Sequence, residues 1–121
     1  MARILIIDDN AKVLDTYCKI LESAGYEVVV ATNGNEGIRT FKEEPLDLVI
    51  TDIFMPEKEG LETIIELKRD FPNVKIIAIS GGGKIESSNY LEYAKQFGAT
   101  CTLTKPIEKE ELLKTVQACL S

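Results

Sequence analysis

The 121-residue chain contains no histidine, and its three cysteines, Cys18, Cys101 and Cys119, form no CxxC pair. Without imidazole, and with the thiols scattered, a zinc site has no ligand set. The thiols read instead as small buried hydrophobes in a reducing compartment. Basic residues are also short in number: 14 Lys and Arg stand against 20 Asp and Glu, for a net charge of −6. Such a chain has little with which to displace counterions from a phosphate backbone, so direct nucleic-acid binding is not expected. No apolar run approaches the roughly 18 residues of a membrane span. The first one, Ile4–Ile7, ends at once in Asp8-Asp9, too short for the apolar region of a secretory signal. The expectation is one cytoplasmic domain, 1–121, with an ordinary soluble composition (45% hydrophobic, mean hydropathy −0.01).

What the chain does have is an alternation of strand-like and helical segments. Arg3–Ile7, Glu27–Ala31, Asp47–Thr51, Val74–Ile79 and Ala99–Thr104 read as strands. Between them the spacing predicts helices over Ala11–Ala24, Asn35–Glu43, Leu61–Asp70 and Ser87–Phe97, with a closing helix over Glu108–Leu120. The inward residues are expected to be Leu14, Tyr17, Cys18 and Leu21; Ile38 and Phe41; Leu61, Ile64 and Ile65; Tyr90, Leu91 and Ala94; and Leu112, Leu113, Val116 and Leu120. Gly25, Pro45 and Gly98 are natural stops. Near-continuous apolar strands imply burial on both faces, as in a parallel sheet covered by helices. Ligands of such sheets bind beyond the carboxyl ends of the strands.

Polar residues fall at those ends. Asp8 and Asp9 follow the first run, Asp52 the third, Ser80 the fourth, and Lys105-Pro106 the fifth. Taken singly, each has a plain structural reading: Asp8-Asp9-Asn10 as a helix cap, Asp52 as a loop residue, Ser80 before three glycines as a turn. Together they describe a cation and phosphate site. Two carboxylates about 4 Å apart repel by roughly 4 kcal/mol at an effective dielectric near 20. Three gathered acids therefore call for a proton or a cation, and Mg²⁺ suits hard oxygen donors. A carboxylate can attack phosphorus to give an aspartyl phosphate, with the Lys105 amine and Ser80 hydroxyl on the remaining oxygens. The Lys105-Pro106 bond is a candidate for the cis form.

These motifs, Asp8-Asp9, Asp52-Ile-Phe-Met-Pro with Gly60, Ser80-Gly81 and Lys105-Pro106, resemble those of the receiver domain of two-component response regulators, from Arg3 to Leu120. The resemblance implies a flavodoxin-like α/β domain of three layers, with a five-stranded parallel sheet in the order 2-1-3-4-5 and five helices. Asp52 would be the phosphoacceptor, served by a histidine kinase or a histidine phosphotransfer protein. Asp9, Asp52 and the backbone carbonyl of Phe54 would hold Mg²⁺, with Asp8 acting through water. Ser80 and Lys105 would contact the phosphoryl group, and the face of the fourth helix, fifth strand and fifth helix would carry the signal to a downstream protein or a further effector domain. Phe54 and Gly82 match the two positions flanking the path of the water that removes the phosphoryl group. The family is not one of turnover enzymes.

The chain departs from the pattern at the switch position, where Thr102 stands in place of Tyr or Phe. Lys58 and Glu59 replace common Met and Asp, with little consequence expected. The fifth strand begins Thr100-Cys101, without the acidic pair of winged-helix relatives, which weakens the expectation of their phosphorylation-dependent dimer. Two other readings stand beside this one. A pseudo-receiver interaction module usually lacks one of the acids or the lysine. A phosphatase with an aspartyl nucleophile wants a second Asp two residues after the first, where this chain has Phe54. Starting at its first strand and stopping after its fifth helix, the chain is expected to be a stand-alone receiver or one cut from a longer regulator.

Overall fold

The computed structural model describes residues 2–53, 60–81 and 92–121. Five strands, β1 (Arg3–Ile7), β2 (Glu27–Ala31), β3 (Leu48–Asp52), β4 (Ile76–Ser80) and β5 (Cys101–Thr104), form one sheet in the order β2-β1-β3-β4-β5. Every neighbouring pair is parallel. The connecting helices are α1 (Ala11–Ser23), α2 (Gly34–Glu43) and α3 (Gly60–Asp70), and the C-terminal helix spans Lys109–Leu120. Residues 92–96 are also helical, and the chain leaves that segment through Gly98 at φ +121°.

Alternation along the strands divides the core into two layers. Leu5, Ile7, Val49, Ile76 and Ala78 point to the side of α2 and α3, where they meet Ile38, Phe41, Ile64, Leu67 and Ala94. Ile4, Ile6, Leu48, Ile50, Ile77 and Ile79 point to the other side, against Leu14, Tyr17, Leu21, Leu112 and Val116 of α1 and the C-terminal helix. Successive strand side chains face opposite ways, so a continuous aliphatic run is what a doubly covered strand requires. β1, β3 and β4 lie at the centre and are almost wholly buried. Each fully buried Leu or Ile contributes about 1.5–3 kcal/mol over its exposed state.

Helix boundaries follow local chemistry. Asn10 caps α1, its Oδ1 accepting from the amides of Lys12 (2.9 Å) and Val13 (3.2 Å). Asn33 caps α2 by accepting from Glu36 N at 2.8 Å, and the Glu36 carboxylate accepts from Thr32 N, the residue before the cap. Gly25, at φ +94°, ends α1 in the left-handed region that L side chains rarely adopt.

Several expected positions shift. β3 and β4 run on to Asp52 and Ser80, one residue further than the apolar runs suggested, because the ladder pairs polar and apolar residues alike. β5 begins at Cys101 rather than Ala99. Ile65 is not inward: it is 43% exposed, because Ile64 and Leu67 already fill the contact of α3 with the sheet. Leu113 and Leu120 flank the buried stripe of Leu112, Val116 and Cys119 without being buried themselves. Tyr90, Leu91 and most of the expected fourth helix lie outside the described residues.

Candidate functional site at the strand ends

A parallel sheet gathers all its carboxyl ends at one edge, and the register decides which residues become neighbours there. Ile7 pairs with Thr51, so the residues that follow, Asp8 and Asp52, stand side by side at the ends of adjacent strands. Both are buried, at 2% and 7% exposure. Ser80 pairs with Thr104, and Lys105 follows, its amide donating to the Ser80 carbonyl at 2.8 Å. The Lys105-Pro106 peptide is cis.

The Lys105 ammonium reaches back across the edge. Its Nζ lies 3.3 Å from Asp8 Oδ2 and 3.4 Å from Asp52 Oδ2. Both distances exceed the usual 2.7–2.9 Å or so of a committed charge-assisted bond, so the lysine is shared between two acids rather than given to one. Burial alone would lower the Lys105 pKa, but Asp52 and Asp8 outweigh it and hold the ammonium above its ordinary value. Asp8 Oδ1 also accepts from Asn10 N at 2.9 Å. Capping thus falls to Asn10, which leaves the neighbouring acids to the site.

Asp9 is exposed at the rim, yet Asp8, Asp9 and Asp52 each offer a carboxylate oxygen within 4.8 Å of the others. The donor set is hard oxygen only, which suits Mg²⁺. The Lys105 ammonium already stands where a cation is needed, between two of the three acids.

Ser80 is completely buried, with its Oγ 3.4 Å from the Gly81 carbonyl. Thr102 lies on β5 opposite Ala78, half-buried. It lines a groove of ≈ 400 Å³ with Lys95, Lys114 and Thr115. Gly60 closes the back of the site: its amide donates to the Ile53 carbonyl at 2.7 Å, and a Cβ there would fall 2.2 Å from the Asp52 carbonyl oxygen. Phe54 and Gly82, expected at the metal and along the water path, lie outside the described residues.

One site neighbour was read from the sequence only as core. Tyr17 is 7% exposed, and the charges of Lys105, Asp8 and Asp52 act on its phenol. Burial pushes that phenol above its usual value, opposed chiefly by Lys105. The available signal was a polar-tipped ring on a stripe otherwise made by Leu14 and Leu21.

The family model of the response regulator receiver domain matches residues 4–117. The chain belongs to the response regulator receiver family. It is 36% identical to protein PilH of Pseudomonas aeruginosa, over all of this chain and 99% of that one. It is 34% identical to the transcriptional regulatory protein GlrR of Escherichia coli over 98% of this chain, but that match spans only 26% of GlrR. A receiver domain protein from Clostridium thermocellum superposes with a TM-score of 0.92 at 32% identity, covering 99% of this chain and 94% of that one. Receiver domains act in two-component signalling, bind Mg²⁺ at an acidic pocket and are generally not catalytic enzymes. Among the described residues no helix is long and apolar enough to cross a membrane.

Proposed function

We propose that Asp52 accepts a phosphoryl group from a histidine kinase or a histidine phosphotransfer protein. The observation that carries this reading is the Lys105 ammonium shared between buried Asp8 and Asp52, with Asp9 beside them. In the transfer, a lone pair of an Asp52 carboxylate oxygen forms the new bond to phosphorus. The phosphorus–nitrogen bond of the donor breaks, and the departing imidazole keeps that electron pair and takes up a proton. A bound Mg²⁺ would supply positive charge to offset that of the phosphoryl oxygens. Asp9, Asp52 and, by family position, the Phe54 carbonyl would hold the ion, with Asp8 acting through water. Lys105 moves from its two acids to a phosphoryl oxygen, and the Ser80 hydroxyl donates to another.

The chain also takes phosphate from small phosphodonors and releases it slowly by itself. Its partners are the donor protein and a cytoplasmic downstream protein or an effector domain. The downstream partner is reached through the face of β5, the C-terminal helix and the helix ending near residue 96, on which Thr102 lies. The pseudo-receiver alternative has no support in a site where all three acids and the lysine assemble. The phosphatase alternative lacks its general acid at Phe54.

The test is mass spectrometry of the intact chain after acetyl phosphate and Mg²⁺. One phosphoryl adduct is expected in the wild type and none in Asp52→Asn. An adduct of equal yield in that variant would place the acceptor elsewhere.

A further inference from the structure

Lys105 has a second neighbour besides its acids. A groove of ≈ 540 Å³ runs between α1 and the segment after β5, with Thr16 and Tyr17 on one wall and Lys105, Pro106 and Ile107 on the other. Tyr17 belongs to the core layer beneath α1, and it and Lys105 line the same groove. The two side chains are near enough for the ammonium charge to favour ionisation of the phenol. On β5 the family's switch position carries half-buried Thr102.

We propose that Tyr17 positions Lys105 and is the aromatic ring that registers the lysine's movement when Asp52 is phosphorylated. The inference rests on the phosphoacceptor reading above and extends it to how the modified state is read. A lysine carries its charge on a flexible four-carbon stem, so a fixed wall restricts where that stem can go. A phosphoryl group adds about −1.5 to −2 charges and draws Nζ away from its shared position. A ring only 7% exposed cannot follow by turning into solvent. It repacks, and the change emerges in the groove between α1 and Pro106. This gives the fold an aromatic reporter on the side of the site opposite Thr102.

The test uses the full chain labelled with fluorotyrosine. Four resonances are expected, from Tyr17, Tyr26, Tyr90 and Tyr93, and Tyr17→Phe assigns the first. Mg²⁺ with beryllofluoride should move the Tyr17 resonance more than that of Tyr26, beyond the far end of α1. In ¹⁵N spectra of Tyr17→Leu, the Ser80 and Gly81 amides should still respond, while the response at Thr16 and Ile107 is lost. The acetyl phosphate reaction should slow about fivefold in Tyr17→Leu and recover in Tyr17→Phe, which keeps the ring. A Tyr17 resonance that stays still while Ser80 shifts overturns the proposal. So does a groove response that survives Tyr17→Leu. Silence at Ser80 as well, in the wild type, would instead remove the phosphoacceptor reading on which the proposal stands.

Discussion

Ile7 on β1 faces Thr51 on β3 in the parallel ladder, and this one register places the two buried acids together. Asp8 and Asp52 each come one residue later, so they emerge side by side beneath the Lys105 ammonium. A slip of one residue would turn each strand's side chains to the opposite face and scatter the site. The hydrophobic layers that fix the register therefore also fix the chemistry.

Removing the ammonium should expose the repulsion it masks. In Lys105→Met, Asp8 and Asp52 remain buried without their shared cation. Breaking a buried pair costs up to about 3–5 kcal/mol, but the lysine side chain is 26% exposed, so a loss of roughly 1–3 kcal/mol is expected. Mg²⁺ should restore more stability to the variant than to the wild type, because binding to the native state alone stabilises it. Thermal melts with and without Mg²⁺ check both signs. A variant as stable as the wild type in the absence of the ion would mean that Lys105 does not balance the acids.

Gly60 is the second point of fragility. A Cβ at this position would meet the Asp52 carbonyl oxygen at 2.2 Å and the Ile53 Cα at 2.6 Å, both backbone atoms that cannot turn aside. Gly60→Ala should destabilise the chain by about 1–3 kcal/mol, in the range of overpacked sites, and slow the acetyl phosphate reaction by displacing Asp52. Urea unfolding and adduct formation measure the two effects. Full stability with normal phosphorylation would contradict the close approach.

Much of this was legible in the sequence because burial and topology leave marks in residue order. Four aliphatics followed by two acids, or three followed by Thr51 and Asp52, mark buried strands and their polar ends. What the sequence could not carry was pairing. Nothing in the order of residues says that Lys105 is shared by Asp8 and Asp52, or that Asp8 is buried and Asp9 exposed. Those outcomes depend on the twist and stagger of the ladder. Ile65 fits the helical period as well as Ile64 does, yet only one of them reaches the sheet. Tyr17 passed as core because apolar bulk, rather than its hydroxyl, satisfies the period.

Alkaline pH should unfold the chain partly through Cys119. This thiol, 4% exposed, is pushed up from 9.0 to about 11, mainly by burial and then by neighbouring Cys101. Below pH 9 both folded and unfolded states keep the proton, and its contribution to stability is complete. Between about pH 9 and 11 the unfolded state releases the proton first, so stability falls as pH rises. Tyr17 and Lys105, both raised, act in the same direction beyond about pH 10. Urea unfolding from pH 8 to 11 should show the decline, and Cys119→Ala should flatten its first part while lowering stability throughout. A slope unchanged in that variant would remove Cys119 as its source.

The lifetime of the phosphoryl group should respond to residue 54. Family position implies that Phe54 and Gly82 would flank the path of the water that attacks a phosphorylated Asp52. Neither phenylalanine nor glycine has a side chain that could orient such a water by a hydrogen bond, and phenylalanine is bulky. Phe54→Asn supplies an amide and a smaller side chain, and leaves the backbone carbonyl proposed for the metal in place. The variant should lose phosphate faster, by about tenfold if a single water-positioning hydrogen bond of about 1.4 kcal/mol is gained in the transition state. The measurement is decay of the mass-shifted species after the donor is removed, with Mg²⁺ held constant. Mg²⁺ removal by a chelator should slow the decay in both proteins, which separates the effect of the side chain from that of the ion. Equal decay rates in wild type and Phe54→Asn would show that water reaches phosphorus by a path that residue 54 does not border.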